Sequence, residues 1–120
     1  MLKLKYEAIE KLSKDEIKNA LVKNDAEELS RAVLSAALYC EDSDFAENIC
    51  LQLAHHEHFN VRGNAILGFG NIARIDRKLN ENRVKPIIEN ALKDANEFVR
   101  GQANDAKDEI EYFLKWKFSK

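Results

Sequence analysis

Proline and glycine are nearly missing from this chain: Pro86 stands alone, and only four glycines occur in 120 residues. Sandwiches and barrels need many tight turns, so this scarcity argues against them and for helices. No apolar run approaches the length that spans a bilayer. The opening, Met1-Leu2-Lys3-Leu4-Lys5-Tyr6-Glu7, meets charge too early for the apolar core of a secretion signal. A cytoplasmic location is therefore expected, and Met1 suggests a whole small protein. Without an export signal, Cys40 and Cys50 are expected as reduced thiols on apolar helical stripes.

A basic footprint for nucleic acid is also missing. Net charge is −2, unevenly spread. Residues 13–60 hold ten acids against four bases, whereas residues 61–120 hold twelve bases against nine acids. The acidic half suits a basic partner surface. The length fits one domain, 1–120, that buries roughly two thirds of its unfolded surface.

What is present is a run of helix punctuation. Ser13-Lys14-Asp15-Glu16, Asp25-Ala26-Glu27-Glu28 and Asp44-Phe45-Ala46-Glu47 read as capping boxes. Asn60 and Asn96 stand where N-caps are needed, Asn80 or Asn82 precedes a further helix, and Pro86 is expected in or just before that helix's first turn. The pattern predicts about seven helices, roughly at 4–12, 14–23, 26–40, 44–56, 60–75, 83–93 and 97–116. Short connections make sequence neighbours antiparallel.

The most informative feature is an echo. Val61-Arg62-Gly63-Asn64-Ala65 returns thirty-eight residues later as Val99-Arg100-Gly101-Gln102-Ala103. Recurrence at such a period inside helical pattern marks stacked helix pairs. Three pairs follow the first short helix: 14–23 with 26–40, 44–56 with 60–75, and 83–93 with 97–116. A short helix, a turn with an Asp, and V-R-x-x-A opening the second helix resembles a HEAT repeat. The third pair carries the pattern most fully, with Asp94, Val99, Arg100, Ala103 and Ala106. The second carries Val61, Arg62, Ala65 and Gly68, with His56 in the Asp position. The first keeps only Leu29-Ser30-Arg31-Ala32-Val33, without the arginine in register. The resemblance implies an all-α fold, a short α-solenoid of about three HEAT-like pairs plus an N-terminal helix. It also implies that the Asp and Arg tie successive turns together. It carries no information about function.

Placed at 100° steps, helix 60–75 is apolar on two faces, Val61, Ala65, Gly68 and Ile72 on one, and Ile66, Phe69 and Ala73 beside it. Gly68 and Gly70 are read as close-packing positions. A shift of thirty-eight residues turns Ile66, Phe69 and Ala73 into Asn104, Lys107 and Glu111, the polar flank of a terminal repeat. The remaining face is expected to be concave. It carries Arg31, Ser35, Tyr39 and Asp42 in the first repeat, Gly63, Asn64, Leu67, Asn71 and Arg74 in the second, and Gly101, Gln102, Asp105, Glu109 and Tyr112 in the third. This mixture is expected to bind protein.

Other clusters are weighed against plainer roles. His55, His56 and His58 surround Glu57, but the spacing is not that of a zinc helix, and histidines suit the negative end of a helix. No metal is expected. Glu41, Asp42, Asp44 and Glu47 are partly cap chemistry and partly a candidate anchor for Lys or Arg on a partner. Trp116 and Phe118 are expected to fold back over the last repeat. No nucleophile with its base, cofactor loop or membrane segment is legible, so catalysis and cofactors are not expected.

In size, charge and architecture the chain resembles small immunity proteins, including those of contact-dependent growth inhibition. That resemblance implies a non-catalytic inhibitor that binds a cognate toxin, such as a nuclease with a basic cleft. Arg31, Tyr39, Glu41, Asp42, Asp44, Glu47, Leu67, Asn71, Arg74, Asp105, Glu109 and Tyr112 are the candidate contacts. A HEAT-repeat scaffold or adaptor is the alternative. A HEAT-like DNA glycosylase or lyase is disfavoured, because such enzymes use a basic concave face and this one carries Asp42, Asp105 and Glu109.

Overall fold

A computed structural model describes residues 9–118. Six helices and no strand occur among the described residues: α1 (Lys14–Lys23), α2 (Ala26–Tyr39), α3 (Ser43–Leu53), α4 (Phe59–Asp76), α5 (Glu81–Ala91) and α6 (Glu97–Leu114). The all-α expectation holds. Of the expected first helix at 4–12, residues 4–8 lie outside the described range, and Ile9 to Leu12 form no helix. Those residues instead lie on α2, where the Leu12 N–H donates to Ser35 Oγ at 2.8 Å.

The helices start where side chains can satisfy the first free N–H groups. Ser13 and Glu16 form the reciprocal box at α1. Asp25 caps α2 through the Glu28 N–H, Asn80 caps α5, and Asn96 caps α6. Three expectations are corrected. Asp42, not Asp44, caps α3, because the helix begins at Ser43 and Asp42 Oδ1 accepts the Phe45 N–H. His58, not Asn60, caps α4, its ring Nδ1 accepting the Asn60 N–H at 3.1 Å. Pro86 sits in the second turn of α5 rather than the first, so one intrahelical hydrogen bond is lost.

Each first helix packs on its own second helix, and the three second helices lie side by side with α4 in the middle. Being central, α4 is buried on both flanks, including Val61, Ala65, Ile66, Phe69, Ile72 and Ala73. Its glycines permit the close approach. A Cβ on Gly68 would lie 2.6 Å from Cys50 Sγ, and one on Gly70 would lie 3.0 Å from the Ala106 backbone. On α6, Asn104 is exposed and Lys107 pairs with Glu111 at 3.3 Å. These positions are polar, whereas their α4 counterparts Ile66, Phe69 and Ala73 are buried.

Arg62 joins the second and third pairs. Its Nε and NH2 grip both Asp94 oxygens at 2.8 and 2.9 Å, while NH1 donates to the carbonyls of His56 and Glu57. This guanidinium, mostly buried, holds the Asp94 carboxyl below its ordinary pKa, chiefly by hydrogen bonding. Arg100 repeats the carbonyl contacts at Asp94 and Ala95. Between the first and second pairs the link is different. His56 Nδ1 accepts the His58 N–H at 3.0 Å, which places the ring proton on Nε2. Nε2 then donates to Asn24 Oδ1 at 2.9 Å. Thus His56 ties the turns without an arginine.

Trp116 and Phe118 return over the fold, half-buried, with the Lys85 ammonium of α5 5.9 Å from the Phe118 ring. Lys115, in the left-handed region at φ 62°, turns the chain back. Cys40 and Cys50 are unpaired, and burial pushes the Cys50 thiol far up. No described helix is long and apolar enough to cross a membrane.

Candidate functional site

The second helices leave a cleft between α4 and α6 of about 580 Å³. Toward the N-terminal ends the seam is closed: Gly63 lies under the Phe98 ring, and Gln102 Nε2 donates to Asn64 Oδ1 at 3.1 Å. Toward the C-terminal ends the backbones stay close where Gly70 faces Ala106, and the cleft lies among the side chains of Asn71, Arg74, Asp108, Glu109 and Tyr112.

Six expected residues meet in this cleft. Leu67, Asn71 and Arg74 come from α4, and Asp105, Glu109 and Tyr112 from α6. Leu67 is only 9% exposed and contributes apolar surface, whereas Tyr112 is 69% exposed. Arg74 NH2 donates to Asn71 Oδ1 at 3.2 Å, and its Nε lies 3.6 Å from Glu109 Oε2. That last separation exceeds a hydrogen bond, so the buried Oε2 makes an ion pair without one. Asp108 and Phe113 also line the cleft. They were missed, although they stand three residues after Asp105 and four after Glu109, the spacing that keeps residues on one helical face. The Arg77 guanidinium lies 4.7 Å from the Phe113 ring, closing the end of the wall.

The other expected contacts lie elsewhere. Tyr39, Glu41 and Asp42 line a separate hollow of about 470 Å³ with Lys11, Leu12 and Lys14. Asp44 and Glu47 line a third, with Lys78, Asn80 and Arg83. Arg31 borders a fourth beside Glu10, Glu16 and Glu28, and it pairs with Glu27 at 3.3 Å. The expected concave strip is not open along its whole length. Ser35, Gly63, Asn64 and Gln102, expected on it, are buried. The incoming N-terminal segment covers the first, and α6 closes over α4 at the others.

The acidic segment is largely engaged inside the molecule. Asp42 caps α3 and pairs with Lys14 at 2.8 Å. That hydrogen bond lowers the Asp42 pKa and raises that of Lys14. Glu47 accepts the Asn80 N–H at 2.9 Å, and Asp44 lies 3.9 Å from Lys78. Among the described residues, Glu41 alone of the four has no such tie.

Two of the three histidines are structural. His56 and His58 use Nδ1 as cap acceptors at the positions that Asp94 and Asn96 occupy one repeat later. No cluster able to hold a metal ion occurs among the described residues.

No protein-family model matches the chain. No curated protein matches it either. Among solved structures it is similar to a chain of the "Crystal structure of CDI complex from Cupriavidus taiwanensis LMG 19424", with a TM-score of 0.76 at 22% identity, over 88% of this chain and 93% of that one. At that identity the likeness establishes a shared fold.

Proposed function

We propose that the chain is a non-catalytic protein-binding module of the immunity type, which binds and neutralises a cognate toxin. The observation that carries this reading is the fold it shares, over nearly the whole of both chains, with a component of a CDI complex. CDI here denotes contact-dependent growth inhibition. Within this reading the helix pairs are HEAT-like, a view supported by the Arg62–Asp94 tie and the thirty-eight-residue echo. The α4–α6 cleft supplies the contacts, because its polar groups are less committed internally than those of the 41–47 segment. Its carboxylates suit a basic protein surface and repel a phosphate backbone.

The test is co-expression with the product of the neighbouring gene. A stable 1:1 complex, and protection of cells from that product's toxicity, is the expected result. Neighbouring products that neither bind this chain nor harm unprotected cells would sink the reading.

A further inference from the structure

Several carboxylates of this surface find cations. Asp42 has Lys14, Glu28 has Lys23, Glu81 has Lys85, and Asp94 has Arg62. The α4–α6 cleft gathers three carboxylates, Asp105, Asp108 and Glu109, in one place. Its cation, Arg74, is already held by Asn71 and Glu109. Among the described residues, no hydrogen bond or ion pair joins the side chains of Asp105 and Asp108 to any partner, and both are exposed. Glu109 Oε2 is buried there without a hydrogen bond. Three carboxylates thus share one cleft with a single, committed guanidinium.

The same cleft has an aromatic wall. Tyr112 is largely exposed, and its ring already lies 5.2 Å from the Lys115 ammonium. The Phe113 ring packs edge-on against it at 4.8 Å. An aromatic face beside unpaired carboxylates suits a long cationic side chain: the ring covers the stem while the acids take the head. Leu67 adds apolar surface, and the volume falls in the range of ligand-sized clefts.

We infer that the α4–α6 cleft receives an arginine or lysine side chain presented by a loop of the partner protein. Asp105 and Asp108 accept the charged head, and Tyr112 packs along the stem. The assignment rests on the protein-binding reading for its partner, but not on that partner's being a toxin.

The experiment is an NMR titration of the full chain with acetyl-triarginine amide, using a triglutamate peptide and a short DNA duplex as comparison probes. The triarginine peptide should shift the amides of residues 67–74 and 105–112 saturably. Asp105→Asn with Asp108→Asn, both exposed and so compatible with folding, should weaken that binding at least tenfold. Asp42→Asn should leave it unchanged. Shifts centred on residues 41–47, equal affinity in the double variant, or equal response to triglutamate or DNA would each overturn the assignment. The two readings fail separately. No neighbour-encoded toxin, with peptide binding intact, removes the inhibitor reading alone. A toxin bound equally well by wild type and the double variant removes the cleft assignment alone.

Discussion

Asn64 and Gln102 hold each other across the seam between α4 and α6, Gln102 Nε2 donating to Asn64 Oδ1 at 3.1 Å with both residues buried. They stand thirty-eight residues apart, at the same position of the Val-Arg-Gly echo, so the echo in the sequence is a physical contact between its two copies. Removing one partner strands a buried amide. Asn64→Ala is expected to destabilise the fold by about 1–3 kcal/mol. In urea denaturation of the single and double alanine variants, the losses should be less than additive, with a coupling of about 1 kcal/mol. Strict additivity would show that the two amides do not interact.

The two glycines of the echo should respond oppositely to alanine. A Cβ on Gly63 would lie 2.6 Å from a carbon of the Phe98 ring, whereas nothing lies within 4 Å of one on Gly101. Gly63→Ala should cost about 1–3 kcal/mol through overpacking. Gly101→Ala should stabilise by up to about 1 kcal/mol through helix propensity. Thermal melts of the two variants should move in opposite directions; a shared direction would contradict the packing described.

Acid should weaken the tie between the second and third pairs. The folded pKa of Asp94 lies below its ordinary 3.8, because Arg62 favours the carboxylate. The stabilisation is therefore complete above the ordinary value and disappears as pH falls through the lowered one. At neutral pH, Asp94→Asn should lose about 2–3 kcal/mol, the range for a well-made, partly buried charged hydrogen-bond pair. The gap between variant and wild type should close toward the bottom of the acid limb. Urea midpoints from pH 7 to pH 2 test this, and a gap independent of pH would refute it.

His58 takes the place of an ordinary N-cap. Because its Nδ1 accepts the Asn60 N–H, His58→Ala should destabilise by about 1 kcal/mol. His58→Asn, the residue found one repeat later at Asn96, should retain or improve stability. Hydrogen exchange at the Asn60 amide gives a local readout. Equal protection in the alanine variant would remove the capping role.

The helix frame was legible because cap chemistry is local. Ser13 with Glu16, Asp25, Asn80 and Asn96 each bond an N–H within three residues. Where two candidates stood close together, as with Asp42 and Asp44, local chemistry did not choose between them. A histidine cap carries no sequence signal distinct from a surface histidine, so His58 was passed over for Asn60. The cleft was also legible in part: the helical wheel and the thirty-eight-residue shift placed Leu67, Asn71, Arg74, Asp105, Glu109 and Tyr112 on one face, and all six line it.

By itself, then, the sequence determined that the chain is helical, that its helices come in pairs, and which residues share each helical face. Those properties depend on periodicity and on contacts a few residues apart. Only the tertiary structure decided which parts of those faces remain open. Ser35 is covered from twenty-three residues away, Asp42 is taken by Lys14 twenty-eight residues away, and Glu47 is taken by the Asn80 N–H thirty-three residues away. Whether a carboxylate is spent inside the fold or left for a partner depends on which cations and donors arrive beside it. Chain neighbours do not fix that arrival; the packing of distant helices does.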